Sequence, residues 1–418
     1  MAPFLAPLRI REFRGFWAAM AISLLGDQLT FIALPWLVIK LTGDALIVGT
    51  VVAIAAVPRA IFILLGGALS DRFSPRTVLV WSNIVRMVVM FGLAGMVFTG
   101  TINLPVIYAI ALIFGLADAF MFPAGGAMPP RLLAPEDLAA GNALVNGTAQ
   151  LSLIIGPAAA GLLIAYGGET NSAAFSDSMG LSLVFLIDAF TFGAPVYALL
   201  FIVRDRFTPD QPPAGSNLIG NIADGLRYAW KNAPVRYFAL LIGTLSLVFR
   251  GPFIVGVPVY ADRILPEGAA AVGTIFSVLG IGSIIGAIVA GSFRKPDDPW
   301  LGTLLLIDFS LVAFLLLFMA EVHNLVLICI PLFLIGLVDG YVIVLLITFL
   351  QRHTRLEYMG RVMSVIAFAN LGLFPIGTLL SGALIEMDLL ATLSGAGALL
   401  LLVTITGLTL RPVRRLGL

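Results

Sequence analysis

Long apolar runs, each ended by a short polar segment, fill almost the whole chain. A membrane-spanning helix needs about 20 mostly apolar residues. The runs are continuous rather than alternating, which favours helices over the strands of a membrane barrel. The pattern predicts twelve spanning helices, at 14–39, 45–69, 77–99, 103–123, 143–166, 180–203, 237–260, 270–293, 300–320, 325–349, 362–385 and 389–410.

Composition agrees with this pattern. The 418 residues are 60% hydrophobic and 11% charged, with a mean hydropathy of +1.06. A soluble domain is roughly 45–50% apolar and about 25% charged. The composition therefore excludes a soluble protein and predicts a multi-pass protein of the lipid bilayer.

The basic residues lie mostly on one side of the predicted membrane. Of the 24 Lys and Arg, nineteen fall on one face, Lys40 and Arg263 on the other, and Arg59, Arg86 and Arg250 inside spans. Positively charged loops stay in the cytoplasm, so both termini are predicted to be cytoplasmic, at the cell (inner) membrane. Topology and anionic lipid explain this basic face, so no nucleic-acid partner is predicted. The first span is interpreted as retained rather than removed as a signal peptide.

The longest hydrophilic stretch divides the chain into two sets of six spans. It predicts an N-terminal bundle at 1–203, a cytoplasmic linker at 204–236 and a C-terminal bundle at 237–418. Within the linker, prolines stop helix formation, and the residues after Asn217 predict a short interfacial helix on the cytoplasmic leaflet. A simple tether between the halves is the alternative.

The two halves resemble each other. Gly115–Phe120 in the fourth span matches Gly336–Tyr341 in the tenth at an offset of 221 residues, and Gly161 meets Gly382 at the same offset. Duplicated six-helix halves are typical of transporters that hold substrate between the halves near the membrane midplane. The expected fold is therefore all-α, with twelve helices in two pseudo-symmetric bundles.

A charged hairpin follows the second span. In it, Gly67, Asp71, Arg72 and Arg76 fit a glycine–aspartate–basic pattern, although Ser74 replaces a usual glycine. With this hairpin the chain resembles the major facilitator superfamily over essentially its whole length. Four further stretches are similar to its macrolide-efflux and enterobactin-exporter branch: Leu25–Gln28, Ala33–Leu37, Ala139–Leu144 and Gly156–Pro157.

Charges inside spans are costly unless they are paired or hydrated, so each is a candidate for function. Asp27, Arg59 and Arg250 lie near the middle of spans that, by the resemblance, border the central cavity. Asp27 is predicted to take up a proton in one state and to pair with an arginine in another. A permanent Asp27–Arg59 ion pair is the alternative.

A second group of charges is predicted to form a cytoplasmic gate. The resemblance implies that Arg86 and Asp118 join the hairpin in a network that locks one conformation, with Asp339 repeating Asp118. A loop staple present in every state is the alternative. The predicted gate residues are Gly67, Asp71, Arg72, Arg76, Arg86, Asp118 and Asp339. Asp188 and Asp308 lie in spans that the resemblance implies are peripheral. Bonds to neighbouring backbone, or to hydroxyls such as Thr191, Ser310 or Thr303, are favoured there over a transport role.

Two further sets complete the candidate site. Proline and glycine permit bending and close helix approach, so a bend motif of antiporter type is predicted from Gly147, Gly156, Pro157 and Gly161. Aromatic side chains on cavity-bordering spans would suit a large apolar substrate. They are Phe31, Trp36, Phe120, Phe253 and Tyr341.

Other classes lack their motifs. There is no phosphate-binding loop, and His323 and His353 lack metal-ligand spacing, so no cofactor, no metal and no enzymatic activity are predicted. The expected function is proton-coupled export of amphiphilic or hydrophobic small molecules, of drug, macrolide or siderophore type, by alternating access in a monomer. Uptake, lysophospholipid flipping, a membrane-embedded enzyme and a passive channel are the alternatives.

Overall fold

A computed structural model describes residues 3–69, 74–167, 178–203, 227, 230, 232–292, 301–354, 362 and 365–409. These residues are almost entirely helical. Eleven of the helices are long and apolar enough to cross a membrane, and the predicted second span opens with a shorter apolar helix, Ala45–Ile61. This confirms the predicted all-α fold of membrane helices.

The first half contains six long helices after a 3₁₀ turn at Pro3–Arg9. They are α1 (Arg11–Thr42), α2 (Ala45–Leu69), α3 (Pro75–Phe98), α4 (Leu104–Ala127), α5 (Leu138–Tyr166) and α6 (Ser178–Phe201). Short helical turns at Pro129–Leu132 and Pro135–Asp137 join α4 to α5.

The second half repeats this arrangement with two irregular helices. Helix α7 comprises Ala233–Leu245 and Gly251–Arg263, joined by a π-helical segment at Ser246–Arg250. Next come α8 (Ala269–Ser292), α9 (Leu301–Glu321) and α10 (Leu325–His353). Helix α11 (Phe374–Met387) follows a second π-helical segment, Phe368–Gly372, and α12 is Leu389–Thr409.

Local sequence determines where several helices begin. Asn103, Asn232 and Asn324 each accept a backbone N–H from three residues ahead, at 3.1, 3.4 and 3.1 Å. Such side-chain caps satisfy donors that a helix start leaves unpaired. Gly43 lies between α1 and α2 with φ of 67°, a backbone conformation that favours glycine.

The chain divides into two compact units. Unit 1 contains Met1–Leu41 and Val57–Ser216, and unit 2 contains Thr42–Ala56 and Asn217–Leu418. In unit 1, α3 packs extensively on α6; in unit 2, α9 packs likewise on α12. Because these pairs are six helices apart along the chain, they agree with the internal repeat seen in the sequence.

The first part of α2 belongs to unit 2, where it packs on α11. Gly49 lies against the backbone of Thr378 and Gly382. The Ala45 N–H donates to Glu386 Oε2 at 2.8 Å, and Arg263 Nη2 donates to the same oxygen at 3.1 Å. The same Nη2 also donates to the Gly43 carbonyl at 2.8 Å.

Most of the predicted linker lies outside the described residues. Arg227 and Trp230 are helical, and the indole of Trp230 is largely exposed. Arg236 Nη1 donates to the Trp230 carbonyl at 2.9 Å. The domain boundaries and the interfacial helix therefore stay predictions.

Candidate functional site

Five helices of unit 1 each contribute one charged side chain to a compact group, which we call the charge cluster. Its members are Asp27 of α1, Arg59 of α2, Arg86 of α3, Asp118 of α4 and Asp188 of α6. Each helix is long and otherwise largely apolar, so the cluster is surrounded by apolar packing. Its interactions are weakly screened for that reason.

Arg86 is the centre of the charge cluster. Its Nη2 lies 2.5 Å from Asp27 Oδ1 and 2.9 Å from Asp118 Oδ1. Its Nη1 lies 3.1 Å from the Met121 sulfur. One guanidinium nitrogen therefore serves two carboxylates that belong to different helices.

Aromatic rings hold this guanidinium in place. The Arg86 carbon Cζ lies 4.4 Å from the ring centroid of Phe114 and 4.5 Å from that of Phe192. The side chain is only 1% exposed. A buried arginine is tolerated when it is ion-paired and stacked on aromatic faces, and Arg86 has both kinds of contact.

Arg59 lies at the more accessible side of the charge cluster. It forms an ion pair with Asp118 Oδ2, and its side chain is 42% exposed against 15% for Asp118 and 18% for Asp27. Asp118 thus bridges the buried Arg86 and the accessible Arg59. The two carboxylates are also more exposed than Arg86.

Asp188 completes the charge cluster from α6. Its Oδ2 accepts a hydrogen bond from the Thr30 hydroxyl, and its Oδ1 accepts one from Thr191 Oγ1 at 3.1 Å. A side chain at position 26 would collide with Asp188 and Thr191, so Gly26 allows α1 and α6 to approach. The predicted Thr191 bond is confirmed, but sequence reasoning missed that Asp188 lies beside the other charges.

The structure corrects how these charges were predicted to pair. Asp27 bonds Arg86 rather than Arg59, and Arg59 bonds Asp118. The predicted cavity group and the predicted gate group therefore share one cluster. The reason is helix order in space: α3 packs on both α4 and α6, which brings Arg86 among the acids.

The predicted hairpin is described only in part. Asp71 and Arg72 lie outside the described residues, and Gly67 falls within α2. Arg76 Nε donates to the Leu199 carbonyl at 2.5 Å, and its Nη2 donates to Leu200 at 3.3 Å. Arg76 therefore caps carbonyls at the end of α6, where a cation is favoured by the helix dipole.

Arg250 lies in unit 2, at the end of the π-helical segment of α7. Its Nη1 donates to the side-chain oxygen of Asn370, and Ser246 Oγ donates to the Asn370 carbonyl at 2.7 Å. Asn370 belongs to the π-helical segment before α11. π-Bulges are frequent at functional sites. The hydrogen bond from Arg250 to Asn370 joins the two π-helical segments, so this region of unit 2 is a candidate functional region.

The acidic side chains of unit 2 take no part in the hydrogen bond between Arg250 and Asn370. Asp339 of α10 is half-buried and interacts electrostatically with Asp308 of α9 and with Arg250. The predicted Ser310 bond to Asp308 is wrong, because Ser310 Oγ donates to the Leu306 carbonyl at 2.8 Å. Local helix geometry favours that backbone acceptor four residues earlier.

The predicted aromatic residues differ in exposure. Phe31 is 39% exposed, but Trp36 is 1% exposed beneath the Lys40 ammonium, which lies 4.9 Å from its ring. Phe253 is buried, and its ring centroid lies 5.0 Å from that of Phe249 and 5.3 Å from that of Phe276. Burial makes Trp36 and Phe253 packing residues of this conformation. Phe120 and Tyr341 are half-buried.

The predicted bend motif lies on α5, which continues through Pro157. Gly156 faces Gln28 of α1 so closely that a side chain there would overlap it. Pro157 and Gly161 are buried, whereas Gly147 has open space around it. Gly156 therefore allows α5 to approach α1 closely at Gln28, the residue after Asp27.

The described residues contain no group of three or more His, Cys, Asp or Glu side chains that could hold a metal ion. In the charge cluster, Arg59 and Arg86 already supply the positive charges that pair with Asp27 and Asp118. Carboxylates of this kind can either pair with an arginine or bind a proton.

A family model described as Major Facilitator Superfamily matches residues 16–378. The chain belongs to the Major Facilitator Superfamily. The suspected resemblance is thereby confirmed, and the protein is a membrane transporter of this superfamily, a family whose members are generally not enzymes.

Two curated proteins are similar at low identity. The enterobactin exporter EntS of Shigella boydii serotype 4 (strain Sb227) is 26% identical over 396 residues, which cover 94% of this chain and 89% of EntS. The "Uncharacterized MFS-type transporter y4rN" of Sinorhizobium fredii (strain NBRC 101917 / NGR234) is 26% identical over 399 residues, covering 94% and 93%.

Solved structures of two other transporters share the fold. A bacterial homologue of the iron transporter ferroportin, in an inward-facing state, gives a TM-score of 0.67 at 18% identity and covers 95% of this chain and 98% of its own. The nucleoside transporter NupG gives 0.68 at 12% identity, with coverage of 94% and 98%. At these identities the likeness concerns the fold alone.

Proposed function

We propose that this transporter exports amphiphilic or hydrophobic small molecules from the cytoplasm in exchange for protons, by alternating access. The observation that carries the proposal is the charge cluster, in which one clamped arginine serves two carboxylates. Intramembrane charges of this kind mark proton and substrate pathways in transporters.

Asp27 is the proposed proton-binding residue. As a carboxylate, Asp27 forms an ion pair with Arg86, which also pairs with Asp118. Once Asp27 is protonated, its ion pair with Arg86 is lost and Arg86 pairs with Asp118 alone. Phe114 and Phe192 keep the guanidinium in place during this exchange. The proton therefore changes how α1, α3 and α4 are held together, which is the coupling that alternating access needs.

The driving force suffices for modest accumulation. Moving one charge across about 100 mV is worth roughly 2.3 kcal/mol. In this proposal the hairpin with Asp71, Arg72 and Arg76 is the cytoplasmic gate, and Asp339 has the corresponding place in unit 2. The protein acts as a monomer in the inner membrane, with both termini cytoplasmic.

The substrate class rests on the comparison with EntS, whose name states export of enterobactin. That similarity supports drug-like or siderophore-like cargo and supports export. Arg59, 42% exposed beside the carboxylates, is the proposed contact for an acidic group of the substrate. Phe31 is the proposed aromatic contact, because it is the exposed one on α1.

The test is transport in liposomes of known protein orientation, with enterobactin, a macrolide and a fluorescent amphiphilic dye as probes. We expect at least one probe to move towards the acidic compartment when a pH gradient is imposed. Asp27→Asn should abolish this gradient-driven movement, whereas Glu136→Gln, on an exposed turn before α5, should keep it.

Two outcomes would overturn the proposal. Gradient-driven transport that is unchanged in Asp27→Asn would remove Asp27 from coupling. Movement of every transported probe towards the alkaline side would indicate uptake with protons rather than export.

A further inference from the structure

Unit 2 contains a carboxylate that is more deeply buried than the acids that bond Arg86. Asp308 of α9 is 2% exposed, and it interacts electrostatically with Asp339 on the adjacent helix α10. Helices α9 and α10 pack directly on each other. The two acidic side chains therefore belong to one packed helix pair.

One oxygen of Asp308 has no donor. Its Oδ1 is buried and accepts no hydrogen bond from any described residue. A buried carboxylate oxygen without a donor is unfavourable, because it has lost the hydrogen bonds that water would give it. This oxygen needs a hydrogen-bond donor, and a protonated carboxyl is one.

The helices packed around the pair supply no cation. Helix α9 packs on α12 and α10, and α10 packs on α8. Helices α8 and α12 contain no charged residue over their described ranges, and Glu321 stands at the far end of α9.

Helix α10 also provides nothing basic near the pair. Cys329 and Tyr341 of α10 also lie towards the membrane interior, and neither residue type can carry a positive charge. Arg352 and His353 are at its end, more than ten residues beyond Asp339, which is roughly 20 Å along a helix. Arg250 of α7 is the cation within electrostatic range of Asp339, and its Nη1 is already bonded to Asn370.

We propose that Asp308 and Asp339 form a proton-binding site of unit 2, in which the two carboxyls hold one proton between them. Two carboxylates close together in an apolar environment do not both stay ionised. A proton on Asp339 provides an O–H donor that the orphaned Oδ1 of Asp308 can accept. The pair then carries a single negative charge, which Arg250 faces.

A proton fits this site better than a metal ion. Calcium takes 6–8 oxygen ligands and magnesium demands octahedral geometry. The described residues bring no third His, Cys, Asp or Glu side chain to this pair. This inference does not depend on export or on Asp27, because it concerns a different unit of the molecule.

The experiment is infrared difference spectroscopy of the full-length protein in nanodiscs, following the C=O stretch of protonated carboxyls and its shift in D₂O. The reference is Asp27→Asn, so that Asp27 contributes no signal. At neutral pH we expect a protonated-carboxyl band in this reference. Asp308→Asn should remove it, because Asp339 alone, beside Arg250, ionises.

Two further variants keep the test decisive. Asp308→Asn/Asp339→Asn, a neutral pair with no unmatched charge, should also lose the band and covers the case in which Asp308→Asn fails to fold. Glu321→Gln, on the same helix, should leave the band unchanged. A band that persists in Asp308→Asn or in the double variant overturns the proposal. Loss of the reference band on addition of sodium chloride also overturns it, because the site would then bind a sodium ion in place of the proton.

Discussion

The two units share a helix arrangement but treat their buried charges differently. In unit 1, Arg86 lies among three acids and is stacked against two rings. In unit 2, Arg250 is exposed and bonds a neutral amide, while Asp308 and Asp339 lie on two helices that pack on each other. Repeated packing therefore does not imply repeated electrostatics, and each half has its own ionisable chemistry.

Glycines allow close helix contacts in both units. In unit 2, Gly336 and Gly340 of α10 lie against the backbone of α8 at Leu279 and Ser283. In unit 1, Gly156 lets α5 approach Gln28 of α1. Small residues that allow helices to approach closely are the general device of membrane bundles.

Removing the central cation of unit 1 should have the largest effect on stability. Arg86→Gln leaves Asp27 and Asp118 without their shared partner, and breaking a buried ion pair costs about 3–5 kcal/mol. The free energy of unfolding in mixed micelles, from SDS titration, measures this loss. Arg59→Gln is the matched control, since that side chain is 42% exposed and should cost far less. Equal losses would show that burial does not distinguish the two arginines.

Filling a glycine contact in unit 2 should have an intermediate effect. Gly340→Ala places a methyl group against the Ser283 carbonyl, and overpacking costs about 1–3 kcal/mol. Gly147→Ala in unit 1 meets open space and should be neutral or stabilising, because alanine favours helix by about 1 kcal/mol over glycine. The thermal midpoints of both variants in detergent check this. A tolerated Gly340→Ala would mean that α8 and α10 are not in close contact.

Much of this fold could be predicted from the chain, because apolar length alone defines a spanning helix. The span at 389–410 matches α12, Leu389–Thr409. The resemblance placed Arg86 and Asp118 in one network, and they do form an ion pair. The pairing of Arg86 with Asp27 could not be predicted, since Asp27 lies on another helix whose rotation about its axis no local pattern gives. The place of Asp188 in the charge cluster was missed for the same reason. Its bond to Thr191 could be predicted because Thr191 is three residues away, whereas its bond to Thr30 joins two helices that are remote in sequence.

The surface ion pair of unit 2 should contribute least. Arg263 and Glu386 are 35% and 40% exposed at 3.1 Å, and solvent-exposed pairs are worth about 0–1 kcal/mol. Arg263→Gln and Glu386→Gln, alone and together, form a double-mutant cycle on the free energy of unfolding. We expect a coupling energy below about 1 kcal/mol. A coupling as large as the Arg86 effect would make this pair, rather than the charge cluster, the dominant electrostatic contact.

Proton exchange at the charge cluster of unit 1 is tested most directly by proton movement itself. Liposomes that contain the wild type, Asp27→Asn or Glu136→Gln, with a pH-sensitive dye inside, receive enterobactin, a macrolide or an amphiphilic dye on one side. We expect the probe that is transported to cause an opposing proton flux in the wild type and in Glu136→Gln, and none in Asp27→Asn. The same flux in all three proteins would contradict the account.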